Sequence, residues 1–235
     1  MSFADKLAYV WETRGLLLGS LGISLLIAFG AVLIGFVIGV VLAVIRIAPK
    51  TNPVIRGLDG FAQLYITVIR GTPTMVQLLI MYSSILVIFK YAQTNLLVPI
   101  IAFGINSGAY MAEIIRSGIN SVDGGQMEAG RSVGLSWVTT MRKIVIPQAV
   151  KVVIPTIFNE VIILVKETSV VSFIALRVGG AQAWDLMGLV SKMANAKPAV
   201  YNTFLYVAAL VYLTVVLLLT FLQKVLEKRM KKNER

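Results

Sequence analysis

Cysteine and histidine are both absent from this chain of 235 residues. Without cysteine there is no disulfide framework and no thiolate metal site. Without histidine there is no imidazole ligand, no histidine general base and no histidine triad. We therefore predict that the chain is not an enzyme, that it has no catalytic residues and that it binds no metal ion.

Charged residues are also scarce. They make up 14% of the chain, whereas 57% is hydrophobic, and the mean hydropathy is +0.84. A soluble domain of this length is rarely so apolar, so the composition predicts an integral membrane protein. The N-terminal segment contains Asp5 and Glu12 and no A-x-A site, which argues against a cleaved signal peptide.

Five long apolar runs alternate with polar segments, and each is a candidate membrane-spanning helix. We expect an all-α polytopic membrane protein with a single transmembrane domain over residues 1–235. The predicted spans are residues 16–45, 74–89, 96–115, 145–165 and 201–222.

Two prolines, Pro49 and Pro53, interrupt the chain between the first two spans. Residues 54–69 are mildly amphipathic and predict a short helix that is interfacial or partly inserted. Pro73 then suits the first turn of the second span. A short polar turn is expected at residues 90–95.

The net charge of +11 is better explained by membrane orientation than by nucleic-acid binding. Five spans place the two termini on opposite faces. Most of the 22 lysines and arginines then fall on the face that carries residues 120–144 and the C-terminal tail. The positive-inside rule places that face in the cytoplasm and the N-terminus outside.

The most informative segment is the polar loop at residues 120–144, which is too long for a simple turn. Ser121 and Asp123 can cap a first short helix, Gly134 can end it, and Ser136 can cap a second helix that runs to Pro147. Such a hairpin offers an apolar ridge with charged flanks, which is typical of a docking surface. The ridge consists of Met127, Ala129, Val133, Leu135 and Trp137.

A phosphate-binding loop is not expected in this segment. Gly125, Gly130 and Arg131 approach the spacing of a P-loop, but arginine replaces the required lysine. A membrane span, rather than a buried strand, precedes the motif. We therefore expect no nucleotide or other cofactor on this chain.

The loop resembles the EAA motif of permease subunits of ABC importers. The matching residues are Glu128-Ala129-Gly130, then Gly134, then the IVIP sequence that ends at Pro147. The chain departs from the motif at Gly130, where alanine is usual, and at Ile146, where leucine is usual. The segments 68–73, 109–116, 158–160 and 166–169 are similar to the polar-amino-acid branch of that family.

This resemblance implies a set of partners. Two cytoplasmic ATP-binding subunits, which hold the ATP and Mg²⁺, would contact the loop through Glu128, Ala129, Gly130, Gly134 and Pro147. A second permease subunit would pair with this one as a homodimer or heterodimer, and a substrate-binding protein would dock outside. The chain would lie in the bacterial inner membrane, in contact with lipid, and carry amino acids without binding nucleic acid.

Glu160 is the leading candidate for the substrate pathway. An ionisable side chain inside a span is costly, so it is either functional or paired. With Asn159, Glu160 could meet an α-amino group or a cationic side chain of an amino acid. Glu113 and Arg70 are second choices. The alternative is that Glu160 forms a structural ion pair with a neighbouring helix.

Two other classes of protein are compatible with so apolar a chain. One is a secondary transporter or channel subunit that is driven by an ion gradient, but such a protein would not need a docking hairpin. The other is a membrane-embedded enzyme, which the absence of histidine and cysteine disfavours. The sequence therefore favours a permease subunit.

Overall fold

The computed structural model describes residues 1–89, 96–178 and 181–232, and the polar turn expected at 90–95 lies outside them. The described residues are mainly helical, as predicted. The α-helices are α1 Phe3–Glu12, α2 Arg14–Ile47, α3 Pro53–Arg70, α4 Thr74–Phe89, α5 Leu97–Asn120, α6 Gly124–Ser132, α7 Trp137–Thr140, α8 Ile146–Glu167, α9 Leu186–Ala196 and α10 Tyr201–Lys232.

Four helical segments are long and apolar enough to cross a membrane, and a fifth crossing is obtained if the bent pair α3 and α4 counts as one. This agrees with the prediction of an all-α protein with five spans. The helices run past the predicted ends of several spans. The reason is that backbone hydrogen bonding continues beyond the apolar run that hydropathy detects.

The second span is more complex than predicted. Residues 74–89 form α4, but its 16 residues give about 24 Å of helix, which is short for a crossing. The preceding helix α3 meets it at a bend of 102°. The Gly71-Thr72-Pro73 sequence breaks the helix, because proline lacks the amide hydrogen that would continue it.

The centre of the fold is the contact between α2 and α5, which run parallel. Gly35 packs against Ser107, and Gly39 packs against Met111. In the same contact, Ile38 of α2 packs against Gly108 of α5. Small residues on both helices let the backbones approach closely, which is how helices associate where the solvent is lipid.

Helix α8 packs antiparallel to α5. Val153 lies against Gly118 near one end, and Glu160 lies against Ser107 further along. Because α2 and α5 run parallel, the starts of both helices lie at the end of the bundle opposite to α6. Helix α9 also lies at that end, where the Leu186 amide donates to Ser24 Oγ of α2 at 3.0 Å.

Two short strands, β1 Leu176–Val178 and β2 Ala181–Ala183, form an antiparallel pair between α8 and α9. A π-helical turn spans Met141–Val145, and 3₁₀ turns span Thr168–Phe173 and Pro198–Val200. The strands were not predicted, since three residues are too few for an alternating pattern to be recognised.

The α2–α5 contact predicts a difference between two glycines of α2. A Cβ on Gly39 would overlap Met111, whereas a Cβ on Gly22 would have nothing within 4 Å. We expect Gly39→Ala to destabilise the protein by about 1–3 kcal/mol, the usual cost of overpacking. Thermal unfolding of the purified protein in detergent measures this. Gly22→Ala is the control and should not lower the midpoint. Equal midpoints for the two variants would contradict the proposed packing.

Candidate functional site

The polar loop folds as the predicted helical hairpin. Asp123 caps α6 by accepting from the Gly125 amide at 2.9 Å, and Ser136 caps α7 by accepting from the Thr139 amide at 3.1 Å. Each cap satisfies an amide that has no partner within its own helix. The prediction that Asp123 and Ser136 begin the two helices is therefore confirmed.

Gly134 makes the turn between the two helices. Its φ is +83°, in the left-handed region where a side chain is strained. The Leu135 amide donates to the Gly130 carbonyl at 3.1 Å, and the Gly134 amide donates to the Arg131 carbonyl at 3.0 Å. These two bonds form a Schellman motif, which ends α6 and fixes the direction of the chain.

A second glycine holds the two helices together. Gly130 is buried against Thr140 of α7, and a Cβ on Gly130 would overlap the Thr140 methyl and lie 2.8 Å from Thr140 Oγ1. The Thr140 side chain is fully buried, and its hydroxyl donates to the Ser136 carbonyl at 3.0 Å. Glycine at position 130, where the EAA motif usually has alanine, therefore fits the threonine opposite it.

The exposed surface of the hairpin mixes charge with small apolar groups. Glu128, Ala129 and Arg131 are exposed, and so are Val133 at 76% and Val138 at 65%. Only part of the predicted ridge faces solvent, because Met127, Leu135 and Trp137 are half-buried. The exposed apolar surface is therefore centred on Ala129, Val133 and Val138.

The prediction that the second helix ends at Pro147 is wrong. Helix α7 passes through the π-helical turn Met141–Val145 directly into α8, and Pro147 lies in the first turn of α8. The Ile146 amide donates to the Met141 carbonyl, a bond one residue longer than in an α-helix. A widened turn of this kind accommodates a proline without ending the helix. The hairpin and the fourth span thus form one helical run, from 137 to 173.

Glu160 is buried in α8, 5% exposed, and accepts a hydrogen bond from Ser107 Oγ of α5 at 3.0 Å. Within the described residues, its carboxylate forms no salt bridge. Asn159 is exposed and so lies on a different face of α8. The two residues that were predicted to act together therefore point to different surroundings in a single copy of the chain.

The other two predicted pathway residues lie close together. Arg70 and Glu113 line a cavity of about 220 Å³ with Arg46 and Gln63. Arg116 binds the Glu113 carboxylate with two donors, the shorter contact being 2.7 Å. The Arg70 guanidinium lies over the Tyr110 ring, 5.2 Å from its centroid.

Three polar residues that sequence reasoning did not place in the site connect the broken helix to α5. Gln77 Nε2 donates to the Ile69 carbonyl at 2.7 Å and contacts Thr72 Oγ1 at 2.6 Å. Asn106 of α5, which is 2% exposed, donates to Gln77 Oε1 at 2.9 Å. The sequence signal for these residues is that they are polar and lie inside or next to apolar spans. Which residues they bind follows only from the helix packing.

Among the residues that the structure describes, no group of three acidic, histidine or cysteine side chains is placed to hold a metal ion. The site therefore consists of two parts. One is a rigid hairpin at one end of the bundle. The other is a set of polar residues carried by α3, α4, α5 and α8, of which Asn106 and Glu160 are buried while Arg70 and Asn159 are exposed.

Comparison with known proteins identifies this arrangement. The sequence model of the family described as "Binding-protein-dependent transport system inner membrane component" matches residues 35–232. The arginine transport system permease protein ArtQ of Bacillus subtilis is 35% identical over 93% of this chain and 94% of that protein. A putative glutamine transport system permease protein GlnP of Rickettsia bellii is 33% identical over 98% of this chain and 96% of that protein.

Solved structures agree. A chain in the crystal structure of an amino acid ABC transporter with histidines has a TM-score of 0.83 and 33% identity, covering 97% of this chain and 99% of that one. A chain of the MetNI methionine ABC transporter in an inward-facing conformation has a TM-score of 0.69 at 19% identity, which shows the shared fold alone. The chain therefore belongs to the family of binding-protein-dependent transport system inner membrane components, and it is a multi-pass permease component of an ABC transporter rather than its ATPase.

Proposed function

We propose that this permease forms the pathway for polar or charged amino acids across the inner membrane, as one of two permease subunits in an importer. Relatives named for arginine and glutamine transport support this substrate class. The observation that carries the proposal is Glu160, a buried carboxylate in an apolar helix whose partner in this chain is a hydroxyl rather than a cation. A family that depends on a binding protein and an ATPase excludes the ion-gradient-driven alternative.

The orientation follows from charge. The hairpin and the end of α10 lie at the end of the bundle that carries most of the lysines and arginines, so that end is cytoplasmic by the positive-inside rule. The N-terminus and α9 then face outward, toward the substrate-binding protein. The hairpin faces the compartment that contains ATP, as docking of ATP-binding subunits requires. The ATP and Mg²⁺ belong to those subunits.

The hairpin transmits motion because it is rigid and continuous with a span. Gly130 and Thr140 lock α6 to α7, and α7 continues through the π-helical turn into α8. A partner that grips Glu128, Ala129 and Arg131 therefore moves α8 directly. From Trp137 to Glu160 this helical run is roughly 35 Å long at about 1.5 Å per residue, so a tilt at the hairpin displaces the buried carboxylate.

Glu160 and Arg70 are matched to the two ends of a zwitterion. A carboxylate inside the bundle can hold an α-amino group or a cationic side chain, and a guanidinium can hold the α-carboxylate. Glu113 is less available for substrate, since Arg116 already donates to both of its carboxylate oxygens. Asn159, exposed on α8, can contribute where a second permease subunit faces it. The break between α3 and α4 is typical of transporter binding sites, where interrupted helices present backbone groups to the substrate.

The role of Glu160 predicts the effect of Glu160→Gln, which preserves shape and the acceptor for Ser107 but removes the charge. A lost charge-assisted hydrogen bond costs about 1.5–3 kcal/mol, so uptake of a cationic amino acid should fall roughly 10- to 100-fold. Uptake and substrate-stimulated ATP hydrolysis of the reconstituted complex measure this. Assembly and thermal stability serve as controls and should not change. Unaltered uptake would show that Glu160 is only structural.

The turn at Gly134 predicts that Gly134→Val uncouples or disassembles the complex. Nothing lies within 4 Å of a Cβ at this position, so the cost is backbone strain, about 1–2 kcal/mol, rather than a clash. Gly134→Asn is the matched control, because asparagine tolerates a positive φ. Co-purification of the ATP-binding subunits and coupled ATP hydrolysis are the measurements. If the valine variant assembles and transports normally, the hairpin does not dock the ATPase.

The packing of Gly130 on Thr140 predicts a rescue. Gly130→Ala should weaken ATPase binding, because the new methyl group overlaps the Thr140 side chain and separates α6 from α7. The double variant Gly130→Ala with Thr140→Ala removes the obstruction and should recover binding, measured by titration of the purified ATPase. Failure of the double variant to recover, with Thr140→Ala alone normal, would contradict the proposed lock.

A further inference from the structure

Helix α1 precedes the first span and presents an unpartnered apolar stripe. Phe3, Leu7 and Trp11 are spaced four residues apart and are 72%, 43% and 69% exposed. They lie along one side of the helix, since residues four apart share a face. The next side packs on the bundle: the Tyr9 ring meets Phe204 of α10 edge-on, 6.2 Å between centroids.

The remaining side of α1 is acidic. Asp5 and Glu12 are both exposed on it. The Ser2 amide and hydroxyl complete a capping box with Asp5, and these hydrogen bonds hold the pKa of the Asp5 carboxyl below its ordinary value. Asp5 therefore stays charged, and this side of the helix faces water.

A groove of about 560 Å³ lies between α1, the beginning of α2 and α10. Its apolar walls include Leu7, Val10, Leu17 and Val207, and among the described residues that line it Arg14 is the charged one. The Arg14 guanidinium lies over the ring of Trp11, which also lines the groove, 4.8 Å from the ring centroid. Its Nη1 donates to the Trp11 carbonyl at 2.9 Å, which holds the guanidinium beside the groove.

We propose that this groove binds an anionic phospholipid, with an acyl chain along the apolar walls and the phosphate on Arg14. An arginine guanidinium matches the geometry of a phosphate, and a guanidinium stacked on an aromatic ring keeps its remaining donors directed outward. The volume suits part of one acyl chain.

The level at which the groove lies in the membrane favours a lipid over a protein as its occupant. Leu18 and Leu33 of α2 are likewise 67% and 69% exposed, as expected of side chains that face hydrocarbon in an inner-membrane protein. Trp11 and Arg14 lie where the apolar run of α2 begins, which is the headgroup level where tryptophan and arginine concentrate. A helix that lies in the membrane interface, with its apolar stripe toward lipid and its acidic side toward water, fits this position.

The family match begins at residue 35, so α1 and the first part of α2 lie outside the segment that defines the family. The residues that line the groove include none of those proposed for the substrate pathway, so the lipid site does not depend on which amino acid is carried.

The absence of cysteine allows a direct test of the apolar stripe. A nitroxide is attached at Leu7→Cys or at Glu12→Cys in the transporter assembled with cysteine-free partner subunits in lipid nanodiscs. At position 7 the label should collide with oxygen, which concentrates in lipid, and be shielded from a water-soluble nickel complex. At position 12 the pattern should be reversed. A position-7 label that is open to nickel, or shielded from both reagents, would show that water or protein covers the stripe and would overturn the proposal.

The phosphate contact is tested separately by native mass spectrometry of the complex released from nanodiscs of phosphatidylcholine and phosphatidylglycerol. Arg14→Gln should lower the occupancy of retained phosphatidylglycerol about fivefold, the effect of one cation at a membrane surface. Lys192→Gln is the matched control, because Lys192 also lies over a tryptophan, 3.6 Å from the Trp184 ring centroid, but borders a different cavity, whose lining includes Asp185 and Asn195. Retention that is unchanged in Arg14→Gln, or equally lowered in both variants, would overturn the role of Arg14.

Discussion

Backbone polar groups inside a lipid bilayer must find partners within the protein, and this constraint governs the fold. Continuous helices such as α2 and α5 satisfy it by themselves. The break between α3 and α4 does not, so Gln77 donates to the Ile69 and Thr72 carbonyls there and is held in turn by Asn106. The backbone groups at the interruption are therefore paired, and the polar side chains of Gln77 and Asn106 meet between α4 and α5.

Close packing joins these helices into a small number of units. Gly35 and Gly39 bring α2 and α5 into backbone contact, so the two helices form one rigid unit. Helix α8 rests on that unit through the Ser107–Glu160 hydrogen bond and leads without interruption to the hairpin. Trp137 of the hairpin and Glu160 therefore belong to one helical run, from 137 to 173.

Much of the hairpin could be predicted from sequence because its signals are local. Asp123, Gly134 and Ser136 act through bonds to residues within a few positions of themselves, so their residue types alone indicate the two caps and the turn. The continuation of α7 into α8 could not be predicted. Pro147 usually argues against a helix, and only the widened turn before it, stabilised by packing, allows the helix to continue.

The sequence by itself determined that this is an all-helical membrane protein with four or five crossings and a helical hairpin between two of them, because hydropathy and capping are properties of short stretches. Only the tertiary structure decided which polar residues meet. It buried Glu160 against Ser107, joined Asn106 to Gln77, and turned Asn159 outward. These pairings depend on how helices that are far apart in the sequence are rotated and packed against one another. The sequence pattern of a single helix does not specify that rotation.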